Sequence, residues 1–489
     1  MPSAESSVFV SVMRSHRTGG LGLQQEAPSR AAGTRITVAA RLDRLPKSRY
    51  IRKLIILLSL GACFEFYDLF FSAYIAPAFY SNGIFTPTTK GFLGIEGFAS
   101  FVAALFAGLF VGTLVFSPVS DHFGRRAIFS FSLLWYSVCT FLMALQSTAA
   151  AINLWRFLAG IGLGVEMITI GVFISELVPK ETRGKAFAFN QFLSFSAVPI
   201  AALISAVLVP RRLLGLDGWR WVVIVGASGA IFVWFIRRAI PESPRWLEQQ
   251  GRIEEADRIM QEIERRVRSE SGAPLPEPKL VAGDVHPARG SLREIWNRPY
   301  RARTVLLIIF HVLQPVGYYG FASWVPTLLI AEGVNVTRSL RYTFVMALAS
   351  PLGPLVGKAF ADVFERKWQI AWSALAIAAC GLLFAQQRTA AGVMLFGVLI
   401  TLSSNWMSFA FHTYQSELYP TRIRARAVGF VYSWSRLSTV FSSFLIALFL
   451  RKYGTVGVFI FIACSMLIVL ALIGGLGPRT TRRRLEEIA

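Results

Sequence analysis

The chain has 489 residues, of which 54% are apolar and only 16% charged, and its mean hydropathy is +0.52. Fifty Lys and Arg stand against 28 Asp and Glu, a formal charge of +22. A soluble domain carries about 25% charged residues. Here the charge falls in islands between long apolar stretches, which excludes a soluble enzyme, a disordered basic protein, a nucleic-acid binder and a disulfide scaffold.

Residues 1–51 read as an N-terminal tail. It is Arg-rich and Pro/Ser-rich, with no signal-peptide cleavage pattern after an apolar run. The expectation is a flexible tail with a short amphipathic element next to a membrane, followed by the basic stretch Arg41 to Lys53. Apolar spans follow near 52–75, 94–119, 127–148, 151–175, 187–209 and 219–238. Each is about 20 residues long, the length that keeps backbone polar groups paired across hydrocarbon. A polar connector over 239–303 separates them from spans near 304–329, 341–361, 369–387, 390–413, 427–449 and 453–476. The fold class is therefore an all-α polytopic membrane protein of twelve helices. It has an N-terminal six-helix bundle (52–238), a C-terminal six-helix bundle (304–476) and a short tail (477–489).

Charge orients this arrangement. The side holding both termini carries 39 Lys and Arg and the other side nine, with Arg156 and Arg436 inside spans. Cytoplasmic loops hold the excess of basic residues, so both termini are expected in the cytoplasm. The connector has a helical charge pattern over Arg252 to Arg268 and an irregular Pro/Gly-rich stretch over Ser271 to Arg289. It is expected to lie over the cytoplasmic face and couple the halves.

Ionisable residues inside apolar spans are functional candidates by default. Glu65 and Asp68 share a helix face in the first span. Two carboxyls in a poorly hydrated cavity suit proton binding and release, and Glu166 in the fourth span is a third candidate. Arg156 precedes Gly160, Gly162 and Gly164, which leave room for close helix approach. Arg156 can pair with a carboxylate on another span, either Glu65 or Asp68. Arg436 in the eleventh span has a guanidinium fork suited to an anionic substrate or an internal carboxylate. Tyr67, Gln314, Tyr318, Asn405, Trp406 and Asn190 are candidates for substrate contact, and Tyr74, Gln191, Tyr319, Trp324 and Tyr414 supply further rings and amides. His311 and His412 titrate in a useful range, but the five histidines have no metal spacing. Cys63, Cys139, Cys380 and Cys464 read as packing residues. No phosphate-binding loop is present, and no nucleophile–base set points to an enzyme. No cofactor or metal is expected, and transport would run on an ion gradient or the substrate's own gradient.

Several segments resemble the major facilitator superfamily. Asp121-His122-Phe123-Gly124-Arg125-Arg126 is similar to the signature Gly-x-x-x-Asp-Arg-x-Gly-Arg-Arg between helices 2 and 3, with Ser117 at the first glycine position and His122 at the first basic one. Asp362-Val363-Phe364-Glu365-Arg366-Lys367 repeats it in the second half, with Lys358 and Glu365 at the glycine positions. Arg156-x-x-x-Gly160-x-Gly162-x-Gly164, then Glu176 through Arg183-Gly184-Lys185, resembles the helix 4–5 region of sugar-porter and organic-ion branches. Pro241-Glu242-Ser243-Pro244-Arg245-Trp246 and Glu417-Leu418-Tyr419-Pro420-Thr421-Arg422 match the same branches after helices 6 and 10.

The resemblance implies that Asp121, Arg125, Arg126, Arg156, Glu176, Arg183, Asp362, Arg366, Glu417 and Arg422 clamp helix ends and gate closure. Glu65, Tyr67 and Asp68 in helix 1 look more like organic-acid:proton symporters, while typical sugar porters show a Gln-Gln pair where this chain has Gln314-Pro315. It implies proton-coupled uptake of a small organic carboxylate, including aromatic ones, by a monomer in a bacterial cytoplasmic (inner) membrane. The partners are substrate anion, protons and lipid. Sugar or polyol:proton symport, and proton-driven efflux of amphipathic compounds, are the alternatives within transport. A non-transporting sensor is the alternative outside it.

Overall fold

A computed structural model describes residues 37–115, 122–278, 291–360 and 363–480. Among the described residues the chain is almost entirely helical, with one two-residue hairpin pairing Arg212–Leu213 with Leu216–Asp217. In chain order the helices are α1 (Val38–Asp43), α2 (Arg49–Ser81), α3 (Phe98–Val115), α4 (Arg125–Ala144), α5 (Ala149–Leu177), α6 (Lys180–Leu208), α7 (Gly218–Ala227) and α8 (Gly229–Ala239). The connector forms α9 (Pro244–Gln249) and α10 (Ile253–Ser271). Then come α11 (Arg298–Ala322), α12 (Val325–Ala331), α13 (Val336–Ala347), α14 (Leu352–Phe360), α15 (Arg366–Gln386), α16 (Ala390–Glu417) and α17 (Thr421–Ala471). Among the described residues, eight helices are long and apolar enough to cross a membrane.

Several elements differ from their sequence expectation. The stretch 219–238 is two helices meeting at Ser228, 304–329 is broken at Ser323–Trp324, and 341–361 is broken between Leu348 and Pro351. The segment named α17 is itself two helices joined end to end across a kink at Gly454, between the expected 427–449 and 453–476, with a φ of +65° that only glycine adopts without strain. Apolar composition records the solvent around a segment, not the continuity of its backbone. Helices also overrun their apolar stretches: α2 starts at Arg49, where Ser48 caps it by accepting from the Ile51 N–H at 3.2 Å.

Packing divides into two sets. In the first half α3 and α4 pack on α5, and α2 packs on α6; in the second, α15 packs on α16 and α17, and α11 packs on α17. The halves meet where α17 crosses α3, where α13 and α14 cross α6, and where α12 meets α2. Glycines set the α3–α5 crossing. A Cβ at Gly160 would stand 3.1 Å from Gly108 Cα, and one at Gly164 would stand 3.0 Å from the Thr113 nitrogen. The small residues therefore let two backbones touch, as the sequence spacing led one to expect. Gly162 instead faces α4, against Trp135 and Tyr136.

The described residues of the connector pack on the two halves in separate pieces. Helices α9 and α10 pack on α1, α2 and α5, while the turn Leu292–Trp296 packs on α11 and α17. The tail is also more ordered than expected from Thr37 onward. Arg41 pairs with Asp257 and, at 2.8 Å, with Glu264; Arg44 reaches Glu264 at 2.6 Å. Asp43 accepts from the Lys180 N–H at the start of α6 at 3.0 Å and pairs with Arg245 at 3.1 Å. Burial pushes the Glu264 carboxyl up, but hydrogen bonds from Arg41 and Arg44 outweigh it and hold the group below the ordinary carboxylate range.

Candidate functional site

The same ion pair closes one end of each half. Arg125 at the start of α4 meets Glu176 near the end of α5 at 3.2 Å, and Arg366 at the start of α15 meets Glu417 at the end of α16 at 3.3 Å. Both pairs are 51 residues apart, which makes them counterparts in the two halves. Glu242 adds a cap in the first half: its Oε1 accepts from the N–H groups of Arg125 and Arg126 at 2.9 and 3.1 Å. Gly124 permits this, since it has a φ of +95° and any Cβ there would stand 2.6 Å from Glu242 Oε2. Burial lifts the Glu242 carboxyl above its ordinary range, although the backbone donors of Ser243, Arg126 and Arg125 pull it back. Arg183 donates to the Val178 carbonyl at 3.4 Å. Asp121 and Asp362 lie outside the described residues, and Arg422 is described only as part of the first turn of α17.

Deeper in the first half, Arg156 takes Asp68 rather than Glu65. Its guanidinium donates to the Asp68 carboxylate, to the Asp68 carbonyl at 2.7 Å and to the Ser72 hydroxyl, and both charged groups are fully buried. Thr140 donates to the second carboxylate oxygen at 2.6 Å. Phe71 and Phe101 stack on the guanidinium from 4.8 and 5.3 Å. Asp68 is thus satisfied as an ion on both oxygens.

Glu65 and Glu166 are not. Glu166 is fully buried and neither of its carboxyl oxygens has a hydrogen-bond partner among the described residues; the same holds for Glu65 Oε1. Glu166 packs over Gly61, one turn before Glu65 on α2. Glu65 lies within Coulomb range of Arg436 on α17 as well as of Asp68.

Arg436 is 1% exposed and sits where the halves meet. It donates to the hydroxyls of Tyr319 at 2.8 Å and Tyr432 at 3.0 Å, and to the sulfur of Met167 from the other half at 3.1 Å. Among the described residues, no carboxylate is a hydrogen-bond partner of Arg436. Tyr318, edge-on to Tyr319 at 4.9 Å, opens on a cavity of about 40 Å3 between the halves. That cavity is lined by Phe70, Tyr74 and Val198 from the first half, and by Tyr318, Thr343, Ser350, Thr401, Ser404, Asn405 and apolar neighbours from the second. At about 10–15 Å3 per water it has room for a few waters. Among the described residues, no charged side chain lines it.

The sequence-based candidates therefore fall into groups. Tyr318 and Asn405 line the cavity, joined by a 3.1 Å hydrogen bond from the Tyr318 hydroxyl to Asn405 Oδ1. Tyr67 turns away into its own half, donating to the Val222 carbonyl at 3.0 Å. Trp406 likewise turns toward α15, donating to Gln369 Oε1 at 3.1 Å. Gln314 is buried on α11 outside the cavity lining, and Asn190 on α6 keeps an unpartnered Oδ1. His311 bonds Gln415 at 2.9 Å and His412 the Ser408 carbonyl at 2.7 Å. Sequence reasoning missed Ser404 and Thr401, small residues that no apolar pattern marks, and Tyr432, whose place four residues before Arg436 is the signal that was available.

Known proteins resemble this chain over most of its length. A family model described as "Sugar (and other) transporter" matches residues 54–489. A Bacillus subtilis protein whose name provisionally assigns it to metabolite transport is 32% identical, over 91% of this chain and 96% of its own length. The niacin transporter of Acinetobacter baylyi is 27% identical over 92% of this chain and 99% of its own length. Among solved structures, the partially occluded inward-open xylose transporter of E. coli superposes with a TM-score of 0.69 at 19% identity, covering 89% of this chain and all of that one.

Proposed function

We propose, for a chain that belongs to the sugar (and other) transporter family of the major facilitator superfamily, that it carries a small organic acid inward together with a proton. Membership makes it a membrane transporter of small molecules rather than an enzyme. The further proposals are twelve spans in two halves of six, divided as 52–238 and 304–476, and a bacterial inner membrane with the connector and both termini in the cytoplasm. The positive-inside distribution of Lys and Arg supports the orientation.

One observation carries the acid reading. A fully buried guanidinium at the seam between halves is held by two phenol hydroxyls and a sulfur, with no carboxylate among the described residues bonded to it. Such a fork is open to a carboxylate brought by the substrate. Coupling follows from Glu65. While ionised, Glu65 competes with the substrate for the field of Arg436. A proton on Glu65 removes the competitor, so proton and anion enter the same state of the carrier. Asp68, clamped by Arg156, holds the first half together during this exchange.

A second reading has its own support. The family description, the xylose-transporter likeness and the uncharged hydroxyl and amide groups of the cavity all favour a neutral sugar or polyol. Binding of niacin, benzoate and D-xylose to the purified chain and to Arg436→Gln separates the two. The acid reading expects both acids to bind the wild type and to be lost in Arg436→Gln. Binding of D-xylose alone, unaffected by Arg436→Gln, overturns it in favour of the sugar.

A further inference from the structure

Ser404 is an anomaly in the cavity between the halves. It is 4% exposed, it lines the cavity, and its hydroxyl has no hydrogen-bond partner among the described residues. Four of the other polar residues lining the cavity, Thr401, Asn405, Tyr318 and Thr343, are occupied. The Thr401 hydroxyl donates to the Gly397 carbonyl at 2.8 Å, Asn405 donates to the Thr401 carbonyl at 2.8 Å, and Asn405 Oδ1 accepts from Tyr318. Thr343 across the cavity donates to the Ser339 carbonyl at 2.8 Å. A buried hydroxyl left unmade costs about 1–3 kcal/mol. The other hydroxyls named here avoid that cost by bonding within their own or a neighbouring helix; Ser404 does not.

We propose that Ser404 is a specificity-determining residue: its hydroxyl bonds an uncharged polar group of the transported molecule, such as a ring hydroxyl. The spatial logic is a two-point grip. Arg436 bonds Tyr319, the Tyr319 ring meets Tyr318 edge-on at 4.9 Å, and Tyr318 lines the cavity together with Ser404 and Asn405. In the proposed grip a small molecule held at one end near Arg436 presents its far end to Ser404. The apolar walls of Phe70, Val198 and Met346 suit the flat body between those ends. Sites that hydrogen-bond a substrate hydroxyl discriminate strongly against the analogue that lacks it, because a buried polar group is then left unpaired.

The inference rests on the transport reading above but not on which of its two substrate classes is right. The test measures binding of benzoate, 3-hydroxybenzoate and D-xylose to the purified full chain and to Ser404→Ala, with Ser404→Thr as the variant that keeps the hydroxyl. The wild type is expected to bind 3-hydroxybenzoate about 10-fold more tightly than benzoate, the worth of one well-made hydrogen bond. Ser404→Ala is expected to abolish that preference, and Ser404→Thr to retain it. Equal binding of the two acids by the wild type, or a preference that survives Ser404→Ala, overturns the assignment. If neither acid binds, the acid reading has failed, and D-xylose then decides for Ser404. Weakening by Ser404→Ala supports the assignment, and unchanged or absent binding overturns it.

Discussion

Arg156 on α5 holds Asp68 on α2 by its carboxylate and its carbonyl at once, in a site that neither residue shares with water. Removing one member strands the other as a buried charge, at a cost of about 3–5 kcal/mol. Asp68→Asn and Arg156→Met are each expected to lower the thermal unfolding midpoint in detergent sharply. The double variant Asp68→Leu/Arg156→Met is expected to recover most of the loss. Additive losses would show that the two do not act as a pair.

The α3–α5 crossing offers a packing test. Gly164→Ala places a methyl about 3.0 Å from the Thr113 nitrogen, and overpacking of this kind costs roughly 1–3 kcal/mol. Gly171 on the same helix has nothing within 4 Å of a Cβ position, so Gly171→Ala is expected to be neutral or mildly stabilising. Thermal unfolding of the two variants side by side checks the contrast.

Helix α1 is tied to α10 through Glu264, whose carboxyl the guanidinium groups of Arg41 and Arg44 hold below its ordinary range against the opposing effect of burial. A depressed folded value means that the attachment is at full strength above about pH 4.3, the unperturbed carboxylate value, and fades as pH falls through the lowered one. Hydrogen exchange at Val38–Asp43 is expected to be slow at neutral pH and to quicken only in strong acid. Glu264→Gln is expected to make it fast already at neutral pH. Slow exchange in that variant would mean that α1 is held by other contacts.

Much of the fold was readable from apolar stretches and from the Arg and Glu residues of the helix ends. The reason is physical: hydrocarbon tolerates only long apolar helices, so composition declares them. The breaks at Ser228, at Ser323–Trp324 and between Leu348 and Pro351 were not readable, because both sides of each break remain equally apolar. The partner of Arg156 stayed open between Glu65 and Asp68, three residues apart on one face. Ser72, one turn beyond Asp68 and bonded to the same guanidinium, marks the difference. The docking of α1 was hidden for another reason. Arg41 and Glu264 are 223 residues apart, and no local pattern links a tail to a connector at that distance. Within the site, charged residues declared themselves by standing in apolar spans, whereas Ser404 and Thr401 are too small and common to stand out.

The proposed coupling is that a proton on Glu65 frees Arg436 for the substrate. It is tested most directly in vesicles containing the purified chain, with a proton gradient as the sole driving force, labelled 3-hydroxybenzoate as the solute and protein-free vesicles as the blank. The wild type is expected to concentrate the solute above the blank. Glu65→Gln is expected to exchange labelled for unlabelled solute at a comparable rate yet no longer concentrate it when the gradient is applied. Gradient-driven accumulation by Glu65→Gln equal to that of the wild type would contradict the account.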